Sequence, residues 1–166
     1  MTICQHCGCE AEPPKAGKRR SVPQHRRYFA MIRAAYHHWP LDHAELLPHS
    51  EDQLRHWLQC KAGYHLQITV DTAGMTATEA ITAAAGAYTA AARAGEHPFS
   101  KPRDGKLYVF WSKSIDFNTL PHLDACALFD AVADVIEAET GLKVEQIMPP
   151  VQMRAKRKDK LQEAGL

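Results

Sequence analysis

Two residues, Asp104-Gly105, constrain this chain more than any others. Asp-Gly ahead of strand-like sequence is a hairpin turn signal, and a hairpin commits part of the chain to antiparallel β-structure. Lys106-Leu107-Tyr108-Val109-Phe110-Trp111 is strand material, and Lys113 to Phe117 either continues it or forms a second short strand. Upstream, His65 to Val70 alternates as a half-buried strand should, with Leu66, Ile68 and Val70 on one face. Between Pro98 and Pro102 the sequence reads as a loop.

Helices surround this strand material. Ser21 and Gln24 form a capping box, with Pro23 tolerated in the first turn, ahead of a helix from about Val22 to His38. Its apolar stripe runs Phe29, Ile32, Tyr36, Trp39, with His25 on the same side, and Trp39-Pro40 stops it. Ser50-x-x-Gln53 caps a second helix that buries Leu54, Trp57 and Leu58 and ends at Gly63. Thr76-x-x-Glu79 opens an alanine-rich helix, Ala77 to about Ala94, which reads as an inserted packing or dimer surface. A last helix runs from about Leu120 or Pro121 to Thr140, burying Leu128, Val132, Val135 and Ile136, with Gly141 beyond it. The expected fold is α+β: a small antiparallel sheet packed by three or four helices. Residues 1–17 form a cysteine-bearing segment and linker, 18–149 the core domain with 75–95 as the alanine-rich insertion, and 150–166 a basic tail.

The 45% apolar and 23% charged content over 166 residues is that of a folded globular chain. Its longest apolar-rich run, Ala83 to Ala92, is too short and alanine-rich to span a bilayer, and no secretory leader is evident. A cytoplasmic location is therefore expected, and with it cysteines that act as thiols or metal ligands. Net charge is +1, but the charge is unevenly spread. Residues 1–33 carry +5, residues 34–149 carry −7 and residues 150–166 carry +3, counting Lys and Arg against Asp and Glu. Basic ends around an acidic middle suit contacts with phosphates.

The basic positions are specific. Lys18, Arg19, Arg20, Arg26 and Arg27 crowd the start of the first helix, and Arg26, Arg33 and His37 form one stripe along it. Arg154, Lys156, Arg157 and Lys158 make the tail. Lys101, Arg103, Lys106 and Lys113 lie beside Tyr108, Phe110 and Trp111, the interleaving of cations and aromatics that a single-stranded nucleic-acid platform uses. Cys4-x-x-Cys7-Gly8-Cys9 has the spacing of a zinc knuckle, with His25, His6 or a partner subunit to supply the missing fourth ligand and zinc in a structural role; a thiol-rich tail is the alternative. Five histidines fall between His37 and His56 at spacings that match no tight metal pattern. Asp130, Asp134 and Glu137 share a helical face where a divalent ion for phosphodiester cleavage is conceivable, though a solvated face explains them better. No Gly-rich phosphate loop, Gly-x-Ser-x-Gly elbow or His-Glu-x-x-His is present, so no catalytic residue is assigned.

Arg20-Ser21-x-x-Gln24-His25-Arg26, the aromatic helix behind it, Trp39, and a Trp-bearing second helix ending Ala62-Gly63-Tyr64 occur in a telling order. Ser112-Lys113-Ser114-Ile115-x-Phe117 and a helix with Phe129 and Val135-Ile136 continue it. In this order the segments resemble a phage domain family of uncharacterised function. That family shares its Arg-Ser-x-x-Gln-(Asn/His)-Arg opening with the lambda-type NinB, or Orf, recombination proteins. The resemblance covers residues 19–70 and 107–147, leaving the alanine-rich helix, the cysteines and the tail outside it. It implies a non-catalytic phage recombination mediator in the cytoplasm of a bacterial host. Such a protein binds single-stranded or gapped DNA as a homodimer and helps load a recombinase. The opening motif falls on Arg20, Ser21, Gln24, His25 and Arg26. Capping accounts for Ser21 and Gln24 and packing for His25, which leaves the arginines for phosphates. The cysteines have no counterpart in the NinB pattern, so a host or phage protein partner is the rival expectation, with the alanine-rich helix and acidic middle as its surface.

Overall fold

The computed structural model describes residues 2–3, 10–11, 22–116 and 120–148. The zinc-knuckle cysteines, Lys18, Arg19, Arg20 and the tail from Arg154 to Lys158 lie outside them. Two short strands, β1 (Thr2–Ile3) and β2 (Glu10–Ala11), pair antiparallel on either side of the cysteine segment in sequence.

The chain is α+β. Its sheet has the order β3-β5-β4, all antiparallel, from β3 (His65–Asp71), β4 (Phe99–Arg103) and β5 (Lys106–Ser112). The Asp104-Gly105 turn is the hairpin between β4 and β5, and both residues take positive φ (51° and 68°), as a type I′ turn requires. The stretch expected as a loop, 98–102, is therefore corrected: it contains most of β4. Pro102 masks the strand in sequence, but β4 pairs only with β5, and an edge strand tolerates a residue without an N–H. β5 stops at Ser112, so the expected continuation through Lys113 is not strand.

Five helices accompany the sheet among the described residues: α1 (Val22–His37), α2 (Glu51–Lys61), α3 (Ala77–Ala94), α4 (His122–Thr140) and the short α5 (Val144–Ile147), of which α2 and α3 pack on its strands. Their ends follow the sequence closely. The Thr76/Glu79 capping box forms in both directions, and Ser50 Oγ accepts the N–H of Gln53. Gly63 and Gly141 sit at φ +82° and +70° just past their helices, a conformation that favours glycine. Among the described residues no helix is long and apolar enough to cross a membrane.

Two cores result. The larger joins α1, α2, α4 and α5 around Tyr28, Ile32, Leu54, Leu58, Phe129 and Ile136. Here α1 departs from the expected stripe: Phe29 is 37% exposed and Tyr36 half-buried, while Gln24, Tyr28, Met31, Ile32 and Ala35 face inward. Tyr28 stacks on Phe129 at 4.2 Å, and the Gln24 amide donates to Cys126 Sγ at 2.9 Å. The Gln24 amide and the Tyr28 ring, both meeting α4, thus set the inward side of the helix about one position, roughly 100°, from the expected one. His25 moves with them: its ring lies against Phe29 at the rim (4.7 Å), a correction to the expected inward packing.

The smaller core lies between α3 and one face of the sheet. Ala87 and Ala91 pack on Val109 and Trp111, with Ile68, Val70 and Leu107 beside them. Small side chains let α3 come close, and at its end Gly95 comes closer still. A Cβ there would sit 2.3 Å from Trp111 Cδ1. Only glycine fits over that ring.

Candidate functional site

Register assigns the two sheet faces. Gln67, Phe110 and Phe99 share one face with Thr69, Tyr108 and Lys101, while Val109, Trp111 and Leu107 point the other way, beneath α3. The first face is left largely open. Together with the last turns of α2 it forms a groove of about 660 Å³. Phe99, Tyr108 and Phe110 line it, with Lys61, Lys101 and Arg103 among them. The Phe99 and Phe110 rings lie 6.2 Å apart and 29° from parallel. Lys61 is held over the Trp57 ring at 4.8 Å.

The groove's charge is mixed but positive. Glu45 pairs with Lys61 and comes within 3.8 Å of Lys101. The hydrogen bond from Lys61, with the nearby positive charges, holds the Glu45 carboxyl below its ordinary pKa against the opposing effect of burial. Arg103 leans on Asp104 at 3.1 Å, with both side chains exposed. Cys60 lies in the wall, where burial pushes its thiol up to about 12. At neutral pH it is a protonated, unreactive group.

A second neighbourhood gathers at the first turns of α2, the α3–β4 loop and the end of β5. His56, almost fully buried, points Nδ1 at Ser112 Oγ and Nε2 at Arg55 Nη2, 2.7 Å away. A guanidinium only donates, so Nε2 accepts and Nδ1–H donates to Ser112. Burial, then the Arg55 charge, lowers the pKa of His56 and keeps it neutral. This polarity is the reverse of a Ser–His nucleophile pair, because the histidine gives Ser112 a proton instead of taking one. Asp52 Oδ2 lies 3.4 Å from His56 Nε2 and 3.5 Å from His97 Nε2, and Glu96 Oε2 lies 3.5 Å from His56 Nε2. Arg55 also donates to Asp52 Oδ1 at 2.6 Å. Burial raises the Asp52 pKa, but Arg55 and the histidines outweigh it and bring it below the ordinary value.

The residues expected from sequence divide between these sites and the surface. Lys106 is exposed on the groove face, paired in register with Arg103. Trp111 is corrected: at 8% exposure under Gly95 and α3, it is core and has no face to offer a base. Lys113 is exposed past the end of β5, its ammonium 5.6 Å from the Tyr64 ring centre. Arg26 and Arg33 are exposed along α1, as the stripe predicts, but Glu51 engages Arg33 at 3.2 Å. Arg27 is half-buried beside Met148 and Phe129. Asp130, Asp134 and Glu137 face outward on α4, and they do not appear among the described residues that converge as a metal site does.

Sequence reading passed over Asp52, Glu96 and His97. The one available signal was Glu96-His97 beside Pro98, directly after a helix-ending glycine. Comparison with protein-family models, with curated proteins and with solved structures finds no match to this chain.

Proposed function

We propose that this chain binds single-stranded nucleic acid, without catalysis, along the open face of its sheet. The observation that carries the reading is the groove itself. Phe99, Tyr108 and Phe110, with Lys101 and Arg103 on the same strands and Lys61 from the end of α2, line one open surface, and the other face of the sheet is occupied by α3. Bases stack on exposed rings whatever their sequence, and lysine and arginine beside them meet the phosphates. The basic segments Lys18–Arg27 and Arg154–Lys158 add positive charge to the chain that can meet a phosphate backbone. Single-stranded or gapped DNA in phage recombination is the substrate that the sequence resemblance favours, with a homodimer as the working unit.

The test is a salt series on single-stranded, double-stranded and gapped DNA with the full chain. Affinity for single strands falls steeply with salt, and replacing Arg19, Arg20 and Arg26 by Ala flattens the slope by about one unit per lost phosphate contact. Absent or salt-independent binding would overturn the reading.

A second reading has its own observation. The outer side of α3 exposes Ile81 (69%) and Tyr88 (45%), two turns apart, with Met75 ahead of the helix. That surface suits a second copy of the chain or a host protein. Ile81→Glu would dissolve a dimer seen by light scattering and leave DNA affinity per chain intact if the dimer is incidental to binding.

A further inference from the structure

The cluster at the start of α2 brings two carboxylates to a histidine nitrogen whose hydrogen-bond donor is Arg55 Nη2, 2.7 Å away. His56 Nε2 carries a lone pair, since its ring proton is on Nδ1. Yet two carboxylate oxygens, Asp52 Oδ2 and Glu96 Oε2, stand 3.4 and 3.5 Å from it. His97 Nε2 is 3.5 Å from the same Asp52 oxygen, and the ligand atoms of Asp52, Glu96 and His97 all lie within 4.8 Å of one another. Separations of 3.4–3.5 Å are too long for good hydrogen bonds and join lone pair to lone pair at His56. These three separations, of the six among Asp52, His56, Glu96 and His97, match something else. Four nitrogen and oxygen ligands around a tetrahedral zinc at about 2.0–2.1 Å are about 3.3–3.4 Å apart.

We infer that Asp52, His56, Glu96 and His97 form a binding site for a divalent transition cation of the zinc class. Two imidazoles and two carboxylates are a borderline donor set that suits zinc better than magnesium or calcium, and the carboxylates neutralise the ion. Ser112 completes the arrangement by accepting His56 Nδ1–H, the partner that fixes the tautomer and aims Nε2 at the metal. Arg55 supplies positive charge to His56 Nε2 and Asp52 in this structure, and an ion at the site would take its place there. With four protein ligands the site is structural. The ion clasps the α3–β4 loop onto α2 and so fixes the start of β4, where Phe99 enters the groove. This is a separate place from the cysteine segment expected to bind zinc, and the inference does not depend on nucleic-acid binding.

The test uses the full chain, stripped of metal by chelation and titrated with Zn²⁺ by calorimetry. The wild type takes up one equivalent more than either His97→Gly or Asp52→Asn, or binds it at least about 100-fold more tightly. His97→Gly is the informative variant, because His97 sits at φ +49° and glycine relieves that backbone while removing the ligand. Its metal-free unfolding temperature is unchanged or higher, but the rise on adding Zn²⁺ is smaller than in the wild type. Cobalt substitution distinguishes this site from the cysteines: the wild-type-minus-His97→Gly difference spectrum contains d–d bands and no thiolate charge transfer. Arg55→Met removes the competing guanidinium and tightens binding. Equal stoichiometry and affinity in wild type and both ligand variants, or a difference spectrum with thiolate character, would overturn the inference.

Discussion

The two faces of the sheet meet different surroundings, and the central strand β5 contributes to both. Along β5, Leu107, Val109 and Trp111 face α3 and are closed off by Ala87, Ala91 and Gly95. Tyr108 and Phe110, one residue out of phase, face a groove shared with lysine and arginine side chains. Both sides carry aromatic residues, so an aromatic ring alone does not tell the faces apart. The difference lies in what covers each face, and that is set by where the alanine-rich helix lands. Small residues on α3 close one face without filling it, and no helix of the described chain closes the other along its whole length.

This contrast predicts effects that fall in order. Trp111→Ala, on the closed face, leaves a cavity under Gly95 and costs about 3–5 kcal/mol in urea unfolding. A loss below about 1 kcal/mol would mean that the ring is not core. Gly95→Ala overpacks the same spot, with its new Cβ aimed at Trp111 Cδ1, and costs about 1–3 kcal/mol. On the open face, Tyr108→Ala lowers affinity for single strands by about 1–3 kcal/mol with a much smaller change in stability. Lys101→Ala, beside it, reduces the slope of log affinity against log salt by about one and leaves the thermal unfolding temperature within a few degrees. If Trp111→Ala and Tyr108→Ala affect stability equally, the division between the faces fails.

Much of the frame was legible because local chemistry sets it. Thr76 and Glu79 start α3, Gly63 and Gly141 lie just past α2 and α4, and Asp104-Gly105 turns the hairpin, each through contacts within a few residues. What escaped was whatever depends on a distant partner. β4 hid behind Pro102, which is acceptable only because the strand is at an edge. The inward side of α1 was misjudged because Gln24 and Tyr28 are buried through Cys126 and Phe129, about a hundred residues away. Trp111 reads as a stacking surface from its sequence neighbours because Gly95, which seals it, comes from the end of α3.

The histidines carry the same lesson. His43 and His56 are both buried near α2, and spacing alone made neither a ligand. His43 is saturated: its Nδ1 accepts the N–H groups of Glu45 and Leu46, and its Nε2 meets Glu139 at 2.9 Å. His56 instead faces two carboxylates with only one guanidinium between them. Only Glu96 and His97, brought in by the α3–β4 loop, make that imbalance visible.

The most direct measurement is the affinity of the full chain for single-stranded DNA across a salt series, wild type against Tyr108→Ala. The account predicts binding that weakens steeply with salt in the wild type. Tyr108→Ala lowers affinity roughly 5- to 150-fold at every salt concentration, with an unchanged slope and nearly unchanged unfolding temperature. Equal affinity in the two proteins, or no salt-dependent binding in either, would contradict it.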